Sequence, residues 1–257
     1  MKKILIANRG EIAIRIARTC NDLGIKTVGV FSEDDLNSLH LSKMDESFMI
    51  DEKGASAYLN IKKIIDIAKR EKVDGIHPGY GFLSENPEFA KSSKRARIKF
   101  IGPSEKSLMI FGDKSEAKQL ATKLDIPVVR GTQGKTSLKQ ASTFFKSLKK
   151  NSSLVIKAIA GGGGRGMRVV NPELDLKDAM NRASSEAKSA FDSSDLYVEE
   201  YLKNYRHVEV QVLGDGKGQA IHMHERECST QRRHQKIIEI APAPGIKKEL
   251  KEKMFDA

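Results

Sequence analysis

The side chains with the most chemical potential gather around a run of glycines. Gly161 to Gly164 are followed by Arg165, Gly166 and Met167, and Lys157 lies just upstream. Successive glycines expose backbone N–H groups and permit positive φ, which suits wrapping an anion. No Gly-Lys-Ser/Thr follows, and the run joins two strand-like stretches, 154–158 and 167–170, so it is not a Walker A loop. A hairpin tip that closes over phosphates fits better; a plain flexible tip is the bland alternative. Lys157 interrupts an otherwise apolar strand and needs a counter-charge or solvent. Lys114 falls in the first turn of a helix, where the macrodipole disfavours a cation. The phosphates of ATP would offset both placements, although a solvated stem would explain either lysine alone.

Two further clusters stand toward the C-terminus. A strand over 207–213 places His207, Glu209 and Gln211 on one face and Val208, Val210 and Val212 on the other. The segment 225–236 holds Arg226, Gln231, Arg232, Arg233, His234 and Lys236, a donor set suited to a small polyanion or, more plainly, a surface loop. His222 and His224 alternate along a strand beside Glu225, but no third metal ligand is evident. The first strand–helix turn, Asn8-Arg9-Gly10-Glu11, carries one glycine where a dinucleotide fold needs three, which argues against NAD.

These residues need a scaffold, and hydrophobic spacing supplies one. Residues 3–7 read as a buried strand. A helix over 11–23 shows Ile12, Ile16, Cys20 and Leu23 on one face, Gly24 closes it, and 25–31 is a second strand. That βαβ unit predicts a parallel sheet. A helix over 58–71 turns Ile61, Ile64, Ile65 and Ala68 inward, and short strands follow at 74–77 and 98–101. A helix begins at Asp113, with Asp113 and Glu116 spaced as a capping box. Beyond Pro127 the order becomes strand 154–158, glycine run, strand 167–170, helix 175–190 and strand 196–200. Antiparallel strands and a lysine-rich helix then close the sequence.

Bulk properties narrow the class. The 257 residues suffice for one large domain or two small ones. Formal net charge is +11, but the lysines are mixed with serines and acids and no aromatic residues interleave with a basic stripe, so a solvated surface explains the charge better than a nucleic-acid partner. No run approaches the ~20 apolar residues that cross a bilayer, and Arg9, Glu11 and Arg15 break up the one N-terminal stretch that resembles a signal peptide. Two cysteines, Cys20 and Cys228, are no disulfide framework and fit a reducing cytoplasm.

Several strings coincide in order: ANRGEIAIRIART at 7–19, HPGYGFLSEN at 77–86, FIGP at 100–103, GDK at 112–114, GGGGRGM at 161–167, RHVE at 206–209, CSTQRRHQK at 228–236 and EIAPAPG at 239–245. Together they closely resemble the biotin carboxylase family over the whole chain. The resemblance implies an α/β fold: a pre-ATP-grasp domain with a Rossmann-like parallel sheet over 1–112, then an incomplete ATP-grasp fold made of a lid region over 113–203 and the start of the large lobe over 204–257. It implies ATP- and bicarbonate-dependent carboxylation of biotin on a carrier protein through carboxyphosphate. Partners would be biotin carboxyl carrier protein, carboxyltransferase subunits and a second copy in a homodimer. Acetyl-CoA carboxylase is the first expectation, because a subunit opening MKKILIANRGE is typical of the bacterial form; another biotin-dependent carboxylase, or a non-catalytic ATP-binding module or defective fragment, is the alternative.

Roles carry over residue by residue. Lys114 and Lys157 would contact ATP, and Gly163 and Gly164 would cover its phosphates. Glu199, Glu200, Tyr201 and Leu202 would meet adenine through backbone groups. His207 and Gln231 would lie toward the ribose, His234 toward the phosphates, and Lys236 would bind bicarbonate as the catalytic residue. Glu200 stands where the family often has lysine, Ile159-Ala160 where it has Ser-Gly, Tyr205 where it has proline, and His222 and His224 where it has aromatic or small residues. The resemblance also implies that the chain stops short of the Mg²⁺-binding glutamates and the catalytic arginine, so no metal ligand is assigned here.

Overall fold

The computed structural model describes residues 1–160, 167–172, 174–232 and 235–257, leaving the Lys114 side chain aside. The chain divides into two compact units, Met1–Ala117 and Lys118–Ala257.

The first unit runs β1 (Lys3–Ile6), α1 (Gly10–Asp22), β2 (Lys26–Ser32), β3 (Glu46–Ile50), α2 (Gly54–Ala57), α3 (Ile61–Arg70), β4 (Gly75–His77), α4 (Pro87–Arg95), β5 (Lys99–Phe100) and α5 (Glu105–Gly112). Its five strands form one parallel sheet in the order β3-β2-β1-β4-β5. Both faces are buried, as parallel sheets require. Ile4 and Ile6 face Ala13, Ile16, Ala17 and Cys20 of α1, while Leu5, Val28 and Val30 join Ile64, Ala68 and Phe89 on the opposite face.

The expected strands and first helix are present, with corrections. Leu23 is exposed rather than inward, because α1 has ended and Gly24 takes φ +66° to turn the chain. The helix expected over 58–71 starts at Ile61, where Asn60 caps it by accepting from the Lys63 N–H. Strand β3 and helix α4 were not anticipated. β3 is an edge strand with one buried residue, Ile50. Helix α4 is set by Asn86 as N-cap and Pro87 in the first turn.

Helix α6 (Lys114–Lys123) follows. Asp113 Oδ1 accepts from the N–H groups of Ser115 and Glu116, as an N-cap should. The capping box is only half made, since the Asp113 N–H donates to the Met109 carbonyl of the preceding helix.

In the second unit, α7 (Leu138–Ser147), β6 (Ser153–Ala158), β7 (Met167–Val170), α8 (Leu176–Phe191) and β8 (Leu196–Tyr201) form an antiparallel sheet, β7-β6-β8, with helices on one face. Leu154, Ile156, Val170 and Val198 pack there against Ala141, Ala179, Ala183 and Ala187. A second antiparallel sheet joins β9 (Val208–Gly214), β10 (Ala220–Arg232) and β11 (Gln235–Ile240), followed by α9 (Lys248–Asp256). The loop reading of 225–236 is overturned: its described residues continue β10 and begin β11. The regular alternation of His222 and His224 fails too. A register shift separates His222 from Glu225, and His224 takes φ +64°. The His222 ring stacks on Phe255 of α9 at 3.9 Å, which commits it to packing.

Candidate functional site

The helix-free face of the first antiparallel sheet carries the alternate residues Val155, Lys157, Met167, Val169, Tyr197 and Glu199. Register puts Val155 opposite both Glu199 and Val169, and Lys157 opposite both Tyr197 and Met167. A cavity of about 540 Å³ opens on this face, within the range of small-molecule sites. Its walls are Val129, Val155, Lys157, Met167, Val169, the stretch Glu199–Leu202 and the stretch Tyr205–Val208. Apolar walls with a few polar groups suit a flat heterocycle with charge at one end.

Glu199 organises the charged end. Its Oε2 accepts from Lys157 Nζ at 2.6 Å and its Oε1 from Lys118 Nζ at 2.7 Å. Its side chain is only 12% exposed. Burial would raise its pKa, but the two ammonium groups outweigh burial and hold it below the usual value. Tyr197 is pushed up to about 12 by burial and by the Glu199 charge. Lys157 is therefore not a solvated stem: it has a buried counter-ion.

Local backbone fixes the carboxylate. Gly131 bridges to Glu199 in antiparallel fashion, the Glu200 N–H donates to Arg130 O, and the Thr132 N–H donates to Val198 O. A Cβ on Gly131 would sit 2.7 Å from Val198 O and 3.2 Å from Lys118 Nζ, so glycine permits this close approach.

The expected site residues divide into groups. Lys157, Glu199, Glu200, Tyr201, Leu202 and His207 line one cavity. Gln231 joins them through His207: its Nε2 lies 2.8 Å from His207 Nδ1 and also donates to Cys228 O at 2.9 Å. Lys236 does not line the cavity. It pairs with Glu209, which raises its pKa. Gly163, Gly164 and His234 lie outside the described residues, as does the Lys114 side chain. Lys118 and Gly131 were missed. A basic residue one helical turn after Lys114 was the available signal for Lys118.

Magnesium, which the resemblance implies, does not fit the donors at hand. Among the described residues, the set closest to a metal site is Glu209, Cys228 and Glu239, with ligand atoms within 4.8 Å of one another. Glu209 already takes Arg226 and Lys236, and Glu239 takes Arg226 at 3.1 Å. Two resident cations and a thiol suit neither the charge nor the oxygen-only preference of Mg²⁺.

With this geometry in view, comparison with known proteins defines the class. Residues 1–108 match the biotin carboxylase N-terminal domain, and residues 113–257 match the ATP-binding domain of the carbamoyl-phosphate synthase L chain. The chain belongs to the biotin carboxylase domain family of ATP-dependent carboxylases. It is 49% identical over its full length to pyruvate carboxylase of Staphylococcus aureus, of which it spans 22%. The biotin carboxylase–β-γ-ATP complex from Campylobacter jejuni superposes with a TM-score of 0.92 at 44% identity, covering 99% of this chain and 57% of that one. The biotin carboxylase domain dimer of Hydrogenobacter thermophilus 2-oxoglutarate carboxylase, solved with MgADP, ADP and bicarbonate, gives 0.90 at 41% identity, covering 99% and 56%. The chain thus spans a fifth to just over half of the relatives' lengths. No helix among the described residues is long and apolar enough to cross a membrane.

Proposed function

We propose that the cavity beside β6 and β8 holds ATP for the carboxylation of biotin by bicarbonate on a carrier protein, through carboxyphosphate. The carrying observation is that one hollow collects the 199–202 strand end, Lys157 and His207 from three separated stretches. Backbone groups of Glu199–Leu202 would receive adenine, His207 and Gln231 the ribose, and Lys157 the phosphates. Lys114, Gly163, Gly164 and His234 are proposed to complete the phosphate site. Lys236 is proposed as the bicarbonate ligand, which requires that it leave Glu209. Mg²⁺ belongs to the same proposal, and no described carboxylate is assigned to it.

The three-part division at residues 112 and 203 is proposed with this reading, as are the carrier protein, carboxyltransferase subunits and a homodimer. The names of the relatives span pyruvate and 2-oxoglutarate carboxylases. They do not single out acetyl-CoA carboxylase, which stays a proposal. The test is twofold. Saturable ATP binding by this chain is expected by calorimetry, and bicarbonate-dependent ADP formation with free biotin reads the reaction itself. ATP binding without turnover would reduce the chain to a nucleotide-holding module. No binding would remove the assignment.

A further inference from the structure

Among the described residues the Glu199 carboxylate has two counter-ions, and one of these two reaches the cavity. Lys157 lines the hollow; Lys118 does not. Each lysine holds its own oxygen, at 2.6 and 2.7 Å. The lysine side chains are 27% and 26% exposed, so neither is locked away from rearrangement. A carboxylate as buried as Glu199 resists losing its last partner, because desolvation then goes uncompensated. One counter-ion can leave such a group if another stays.

We propose that Lys118 is a positioning residue for the phosphate end of the nucleotide: by keeping Glu199 paired, it allows Lys157 to be handed from that carboxylate to the incoming polyanion. The inference rests on the ATP reading above. Lys118 itself touches no ligand. Its ammonium is held by Glu199 Oε1 and lies beside Gly131, 3.2 Å from where a Cβ on that residue would stand. Without Lys118, Lys157 becomes the one remaining counter-ion of a buried charge among the described residues, and the nucleotide must compete with Glu199 for it.

Charge logic gives a signature that a merely structural ion pair lacks. ATP affinity is measured by calorimetry on the 257-residue chain, with a thermal melt for each variant. Lys118→Met is expected to weaken binding about tenfold, equivalent to ~1.4 kcal/mol. Lys118→Arg should stay near the parent. Adding Glu199→Gln to Lys118→Met should restore binding, because Lys157 is then uncommitted. If the parent binds ATP and Lys118→Met binds it equally well, or the double variant fails to recover, the inference falls while the ATP reading stands. If the parent binds no ATP, both fall. Should Lys118→Met lose its cooperative melt, Lys118→Gln takes its place: about tenfold weaker binding is expected, and affinity equal to the parent's would overturn the proposal.

Discussion

The two units use buried charge differently. In the first, Asp35 gathers Arg9, Tyr58, Ser32 and Ser38. Burial alone would raise its pKa, yet the donors from Arg9, Tyr58 and Ser38 outweigh it and hold Asp35 at about 2. Burial and the Asp35 charge in turn push Tyr58 up. This network caps a sheet buried on both faces. In the second unit, Glu199 sits on a sheet covered on one face only, and one of its two lysines opens on a hollow. A closed network fixes a fold, whereas an open one can exchange a partner. Side-chain composition hardly separates the two cases; what surrounds each carboxylate does.

The largest expected effect tests how far the closed unit depends on its core. Phe89 is fully buried and meets Phe100 edge-on at 5.7 Å. Phe89→Ala should cost about 3–5 kcal/mol in urea unfolding. Ile238, 53% exposed on β11, should change stability by no more than about 0.5 kcal/mol when cut to alanine. Similar values for both would erase the contrast.

The next effect concerns acid. The folded pKa of Asp35 lies below its ordinary value of 3.8. Its contribution is therefore complete above that value and is lost as pH falls through about 2. That contribution is about 2 kcal/mol. Asp35→Asn should flatten that part of the pH–stability curve. A curve unchanged between pH 4 and 2 would contradict the network.

A smaller effect should come from Gly131→Ala. The added methyl meets Val198 O and crowds Lys118, for about 1–2 kcal/mol of destabilisation. Nucleotide affinity should fall with it. A silent substitution would mean that the 129–132 stretch does not hold Glu199.

The sequence was most legible where period and punctuation agree. Strands at 3–6, 26–32, 153–158 and 196–201 follow from apolar runs bounded by glycine or helix signals. β3 escaped because an edge strand with one buried residue carries little hydrophobic signal. The strands over 225–232 and 235–240 escaped because their charged side chains suit solvent, although β10 pairs with both β9 and β11. Lys157 was picked out by its apolar neighbours, but its partner was not. The Lys118–Glu199 pair joins residues 81 positions apart, and no local pattern encodes such a meeting.

Calorimetric titration of ATP into the parent chain and into Lys157→Ala addresses the central claim most directly. The open-network account expects saturable binding by the parent and at least about tenfold weaker binding by the variant. Indistinguishable isotherms would contradict it, since the hollow would then hold nucleotide without the one described lysine that faces it.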